Sequence, residues 1–323
     1  MNTLRAMLGI CLALGPAAAA RAADNGTASG LFLRLPASAA GTGMGEAGVA
    51  VVAGSPAIFV NPAGLAGLKG GYASFSHSAW AESLSYNTLS AAMRTRYGAA
   101  GLGLRYLSYG DIGALDNTGA PAGSMSPRDI ALDAALASKL ENGLSVGITG
   151  RYINSRIMRS ASAVAFDLGA MGAVGQTFFG AALQNAGGGL EYGEEVSPLP
   201  LNLKLGAGLP YGRDFIAAVD LNLTRGAAPW VAVGGKYTML VRDDIAMSLR
   251  AGYNTASSDA GGVSGFAVGL GVAGLAASFD YSLRTMGDFG LTHHIGLNFK
   301  WDTPPPSTAP RPSVLQYRQP LIR

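Results

Sequence analysis

Residues 215–224 read Phe-Ile-Ala-Ala-Val-Asp-Leu-Asn-Leu-Thr. Side chains on an extended chain point alternately to opposite faces. Phe215, Ala217, Val219, Leu221 and Leu223 therefore share one wall, and Ala218, Asp220, Asn222 and Thr224 share the other. Residues 277–284 repeat the pattern, with Ala277, Phe279, Tyr281 and Leu283 set against Ser278, Asp280, Ser282 and Arg284. So does the stretch before the C-terminal tail, with Ile295, Leu297, Phe299 and Trp301 against His294, Gly296, Asn298 and Lys300.

Working outward from these segments, the chain divides into fourteen short strands. The expected spans are 71–79, 84–93, 96–107, 129–139, 143–154, 163–172, 176–185, 201–209, 214–224, 230–239, 244–254, 262–272, 275–284 and 292–301. Connections after even-numbered strands are tight, centred on Thr95, Glu141-Asn142, Gly175, Tyr211-Gly212-Arg213, Arg242-Asp243 and Ala273-Gly274. Most of the others are longer, at residues 108–128, 155–162, 186–200, 255–261 and 285–291. An even strand count with short turns on one side and long loops on the other predicts an all-β, 14-stranded antiparallel transmembrane up-and-down barrel. A soluble β-sandwich shows the same alternation, with its apolar face hidden between two sheets. Segment lengths near those that cross a bilayer at a tilt favour the barrel, as does a polar face rich in Gly, Ala and Ser.

Composition points the same way. The 323 residues include 47 glycines, and only 13% are charged, about half the usual share. Past the N-terminal leader, no run approaches the ~18 uncharged apolar residues that a spanning helix needs. Residues 1–22 have the form of a signal peptide: Arg5, an apolar core over 6–20, and Ala20-Arg21-Ala22 as a cleavage signature. The single cysteine, Cys11, lies within it, so the mature chain is expected to carry no disulfide or cysteine metal site. Loss of Arg5 and Arg21 lowers the formal net charge from +3 to +1, and nucleic acid is excluded as a partner class. The expected organisation is a signal peptide at 1–22, a lumen plug at 23–70, the barrel at 71–301 and a Pro-rich periplasmic tail at 302–323.

The plug expectation rests on residues 26–68, whose two charges are Arg34 and Glu46. Apolar runs at Val49-Ala50-Val51-Val52 and Ile58-Phe59-Val60 argue against the alternative, a disordered leader. Gly43, Gly45 and Gly48 fit a dinucleotide-loop spacing, but no strand-turn-helix unit follows. They are read as plug glycines that permit close packing. The run 41–51, then 57–66 with Asn61-Pro62-Ala63-Gly64-Leu65, resembles the N-terminal signature of PorV/PorQ-type proteins, within the superfamily of the long-chain fatty acid transporter FadL. The likeness continues at residues 106–112 and 293–301, and so covers most of the mature chain. It implies a fourteen-stranded outer-membrane barrel with Asn61, Pro62 and Ala63 as a plug motif in the lumen. Ala53-Gly54-Ser55-Pro56 departs from the pattern, which has an acidic pair there.

If the apolar walls meet lipid, the inward charges include Arg105, Asp133, Lys139, Arg151, Asp167, Lys204, Asp220, Lys236, Arg250, Asp280, Arg284 and Lys300. Two readings stand: a paired network that holds the plug, or a path for an anionic group. Catalysis finds no support. His77 alternates in face with Ser76 and Ser78, and His293 and His294 diverge, so no catalytic residue, metal site or cofactor is expected. The resemblance implies an outer-membrane protein of PorV/PorQ type that is not an enzyme and serves protein secretion or surface attachment, engaging secreted cargo or secretion-system components. The alternative is a FadL-like channel for hydrophobic small molecules. Outer-membrane lipid is the partner common to both.

Overall fold

The computed structural model describes residues 28–80, 84–193, 195–256 and 262–301. The expected signal peptide and C-terminal tail lie outside these residues. The first strands are β1 (Gly71–Ala79), β2 (Ser85–Thr95), β3 (Gly98–Ser108), β4 (Ile112–Leu115), β5 (Pro121–Met125) and β6 (Arg128–Lys139). Then come β7 (Ser145–Arg156), β8 (Ser160–Val174), β9 (Thr177–Gly187), β10 (Gly189–Glu191), β11 (Val196–Pro198) and β12 (Asn202–Tyr211). The last are β13 (Phe215–Thr224), β14 (Trp230–Arg242), β15 (Ile245–Asn254), β16 (Ser264–Ala273), β17 (Ala277–Met286) and β18 (Leu291–Trp301).

Fourteen of these form a closed antiparallel ring in the order β1-β18-β17-β16-β15-β14-β13-β12-β9-β8-β7-β6-β3-β2. The ring closes along β1 and β18, paired from Gly71 opposite Trp301 to Ala79 opposite His293. All fourteen strands expected from alternation are present, and no end moves by more than three residues. β4 and β5 form a separate hairpin inside the 109–127 loop, and β10 and β11 another inside the 188–201 loop. The expected long loop at 155–162 is a tight connection of residues 157–159. Pairing continues there to Arg156 opposite Ser160, and Tyr152 and Asn154 both reach the Ser162 hydroxyl, at 3.0 Å each.

Side-chain parity holds around the ring. Outward residues are large and apolar, among them Leu102 (67% exposed), Leu136 (62%), Val268 (56%) and Phe299 (53%). Inward residues on the same strands are buried and small, polar or charged. On residue type, aromatics near strand ends such as Tyr72 and Trp230 fit either an interfacial belt or ordinary sheet packing; these two turn inward. Trp230 packs with Met44, Ala47 and Ala218, and the Tyr72 ring lies so close to Gly54 that a Cβ there would sit 2.9 Å from it. Among the described residues no helix is long and apolar enough to cross a membrane.

The N-terminal segment folds as a chain of short turns against those inward faces. It carries 3-10 turns at Leu31–Arg34 and Pro62–Gly67, and helices α1 (Ala39–Gly43) and α2 (Ala57–Val60). The Ser38 hydroxyl caps α1 by accepting from the Gly41 amide at 3.1 Å. Three bulges bend the wall, one in β9 at Asn185 (φ 59°), one in β14 at Val241 and one in β16 at Gly265 (φ 82°).

At Gly265 a Cβ would collide with the Asn254 carbonyl, and its φ suits glycine. Gly265→Val is expected to cost roughly 1–3 kcal/mol, read as earlier unfolding in urea. Gly67→Ala, where a Cβ meets nothing within 4 Å, should leave the midpoint unchanged.

Candidate functional site: the barrel lumen

Polar side chains of the wall grip the backbone of the N-terminal segment at many points. The Asp220 carboxylate on β13 accepts from the Gly48 and Val49 amides at 2.8 and 2.9 Å. Thr88 donates to the Ala37 carbonyl at 2.8 Å, and Gln184 to the Phe59 and Val60 carbonyls at 2.9 and 3.1 Å. Arg284 on β17 meets Glu46 at 2.5 Å, and Asn254 donates to the Gly45 carbonyl at 3.2 Å. A backbone lacking regular structure must find such partners when it is enclosed.

Asn61 and Pro62 act locally as their chemistry dictates. Asn61 is extended (φ −156°), as a residue before proline prefers, and its Oδ1 accepts from Ala63 at 3.1 Å. Its amide donates to the Val49, Ala170 and Ala181 carbonyls at 2.8, 3.2 and 3.3 Å, joining the segment to β8 and β9. The approach is close enough that a Cβ on Gly169 of β8 would overlap Asn61. Gly43 and Gly45 play the matching part on the segment, against Gly269 and the Tyr253 backbone. Gly48 is different: a Cβ there meets only Val60 at 3.9 Å, and its contribution is the amide given to Asp220.

Arg105 (β3), Asp133 (β6), Arg151 (β7) and Asp167 (β8) form one buried chain across four adjacent strands. Arg105 lies 3.4 Å from Asp133, and Arg151 reaches Asp133 and Asp167 at 2.6 Å each. Arg151 also donates to Asn185, whose own amide donates to Asp167 at 2.7 Å, so the network holds the β9 bulge. Arg105 further donates to the Leu33 carbonyl at 3.2 Å and lies 4.7 Å from the centre of the Phe59 ring. Two cations and two anions enclosed together are mutually neutral, which makes their burial tolerable.

On the long-loop side of this belt the inner wall becomes apolar. Tyr86, Leu107, Ala131, Ile153, Ala163 and Ala165 surround an apolar chamber that Phe32 and Leu33 of the N-terminal segment fill, all packed as one buried cluster. Leu190 and Leu199 of the 188–201 loop roof it. At the edge of this cluster, Tyr109 donates to Asp129 at 2.7 Å, Ser155 donates to the same carboxylate, and Tyr192 donates to Ser155 at 2.5 Å. Burial, then the bond to Asp129, pushes the Tyr109 phenol above its usual range and keeps it a donor. Sequence reasoning missed this chamber. Its signal was the apolar residues at inward parity near the long-loop ends of β2, β3 and β7.

The remaining inward charges are spread along β12–β18. Lys204 has its ammonium 6.0 Å from the Trp230 ring centre. Arg250 meets Asp280 at 2.8 Å, and Lys236 sits across from Arg250 in the β14–β15 register. Lys139 and Lys300 have inward parity but lie exposed at the short-turn end. The histidines fall on both faces. His77 binds Asn87 at 2.8 Å on the outer side, while His294 is fully buried and holds Ser78 at 2.6 Å and Thr292 at 3.0 Å. Ser78 is enclosed and, among the described residues, the hydrogen-bond partners of the imidazole are the Ser78 and Thr292 hydroxyls, so the pair ties the β1–β18 seam. Among the described residues no group of His, Asp and Glu could hold a metal ion.

No protein-family model and no curated protein matches the chain. Solved structures do. The Pseudomonas putida toluene transporter TodX superposes with a TM-score of 0.53 at 12% identity, over 81% of this chain and 96% of that one. A Pseudomonas aeruginosa FadL homologue gives 0.52 at 13% identity, over 82% and 97%. A TodX variant described as a monoaromatic hydrocarbon channel gives 0.52 at 12%, over 81% and 96%. At such identities the likeness is one of fold.

Hydrogen bonds to a charged acceptor contribute about 1.5–3 kcal/mol. Asp220→Ala should therefore speed hydrogen exchange at the Gly48 and Val49 amides by about tenfold or more, with β-strand amides far from β13 unchanged. Equal protection in the variant would show that the carboxylate does not hold the segment.

Proposed function

We propose that the protein is an outer-membrane channel for hydrophobic small molecules, plugged by its own N-terminal segment. The observation that carries this reading is the apolar chamber under the loops, filled by Phe32 and Leu33. Water does not favour so apolar a pocket, and burying each of these two side chains is worth about 1.5–3 kcal/mol. An apolar solute can replace that burial, whereas a sugar or ion cannot. The exposed ring of leucine, valine and phenylalanine outside far exceeds the apolar patch of a soluble monomer, and hydrocarbon is the solvent that suits it. The similarity in fold to a toluene transporter and a hydrocarbon channel supports the same class of cargo.

On this reading residues 1–22 direct export and are removed, residues 23–70 gate the lumen, and the tail at 302–323 lies in the periplasm. The long-loop end faces outward, with β10 and β11 over the chamber entrance. The charged belt below the chamber fixes the wall and the segment rather than selecting an anion, because its charges are paired with each other. The secretion role implied by the PorV/PorQ resemblance has no counterpart among the solved structures of like fold named above, and the channel reading takes precedence.

Vesicles containing the protein should take up a monoaromatic hydrocarbon faster than barrel-free vesicles; equal rates would sink the channel reading. The gate has its own test. The Ser55 and Ser90 hydroxyls lie 2.8 Å apart, one on the segment and one on β2. Oxidised Ser55→Cys/Ser90→Cys protein should lose about tenfold or more of that uptake, and reduction should restore it. Full uptake through a verified cross-link would show that the segment does not move.

A further inference from the structure

The wall of the apolar chamber holds a polar group that its surroundings leave unspent. Tyr86 is 1% exposed, and among the described residues no group forms a hydrogen bond with its hydroxyl. Tyr86 pairs with Leu107 in the β2–β3 register and Thr88 pairs with Arg105, which makes Tyr86 and Arg105 diagonal neighbours on the inner wall. Of the charged side chains, Arg105 acts most strongly on the phenol. A guanidinium carries donors and no acceptor, so it offers the phenol proton nowhere to go.

Arg105 is itself committed to the N-terminal segment. Its Nη1 donates to the Leu33 carbonyl at 3.2 Å, and Leu33 with Phe32 fills the chamber. Withdrawal of these two residues therefore exposes two donors to the chamber, Arg105 Nη1–H and Tyr86 O–H. A bare hydrocarbon would leave both unpaired in apolar surroundings, which is costly. A carboxylate would accept from both, but it would add a charge to Arg105, Asp133, Arg151 and Asp167, a group already neutral. A neutral oxygen meets neither objection. Leu33 itself shows the pattern, an apolar side chain beside a carbonyl that Arg105 holds.

We propose that Tyr86 is a specificity-determining residue of the channel, and that with Arg105 it selects apolar molecules bearing one neutral acceptor oxygen, such as aryl ketones, over hydrocarbons and carboxylates. The proposal rests on the channel reading, in which Phe32 and Leu33 leave the chamber. The ring of the solute takes their place, and its oxygen accepts from Arg105 as the Leu33 carbonyl did. The same oxygen takes the idle proton of Tyr86.

The test uses the full chain in detergent micelles. Retention of acetophenone, cumene and benzoate is measured by equilibrium dialysis and corrected with protein-free micelles. Cumene has the size of acetophenone without its oxygen, and benzoate carries the charge. Wild type should prefer acetophenone to cumene by about fivefold or more, the range that one or two hydrogen bonds supply, and should hold benzoate more weakly than acetophenone. Tyr86→Phe should lower the acetophenone-to-cumene ratio about three- to tenfold. Closure by the segment weakens every solute alike, so the ratio reports the chamber. An unchanged ratio in the variant, or benzoate held as tightly as acetophenone, would overturn the proposal. Retention of cumene with no preference for acetophenone would defeat it and leave the channel reading standing, whereas retention of none of the three would sink both. Tyr86→Phe should also unfold in urea no earlier than wild type, because it removes an unpaired group. Earlier unfolding would show that the hydroxyl is already bonded in the closed protein, which contradicts the proposal.

Discussion

Every strand edge in the wall must find a partner, and the pairing of β1 with β18 is what makes that possible. Nine residue pairs join the first strand to the last. Without them two rows of amides and carbonyls would stand open, which is costly in water and far more so in hydrocarbon. The seam is reinforced on its inner side by Ser74 with Asn298 at 2.7 Å, Ser76 with the Ile295 carbonyl at 3.1 Å, and Ser78 with His294. Once the ring is closed, parity does the rest. Each strand must put one face out and one in, and the chain supplies apolar residues for the first and small or polar ones for the second.

The interior is narrow enough that the wall and the segment cannot be separated energetically. Glycines on β8, β9, β14 and β15 allow the segment backbone to lie directly on the strands, and polar side chains supply the hydrogen bonds that its irregular backbone lacks. Charged residues then appear in mutually neutral groups: Arg105, Asp133, Arg151 and Asp167 on one side, Arg250 with Asp280 and Arg284 with Glu46 on the other. Removing one member of such a group leaves an uncompensated buried charge, which is worse than having no group at all. This is why the polar interior specifies one position for the segment rather than lubricating many.

The wall was legible in the sequence because a period of two is local. In 215–224 or 277–284 each residue declares its face without knowledge of any other strand. What was not legible depends on distance in sequence. Residues 160–162 lay beyond the expected strand because pairing with 154–156, not alternation, extends β8. Residue type alone leaves Trp230 and Tyr72 open to an interfacial belt or to sheet packing, and both fill space beside the N-terminal segment. The inward charges were identified by parity, but their partners join residues as far apart as Glu46 and Arg284. The apolar chamber was invisible for the same reason: Phe32, Tyr86, Ile153 and Leu199 come from four regions of the chain. Asn61 was singled out through resemblance, while its three carbonyl partners emerge only in three dimensions.

The proposed transport requires the outer wall to sit in hydrocarbon. Nitroxide spin labels placed singly at Leu89, Leu136, Val268 and Leu270, which point outward on β2, β6 and β16, test this in vesicles. The account predicts frequent collisions with dissolved oxygen and few with a water-soluble nickel chelate at all four positions. Free access of the chelate to these labels would contradict it.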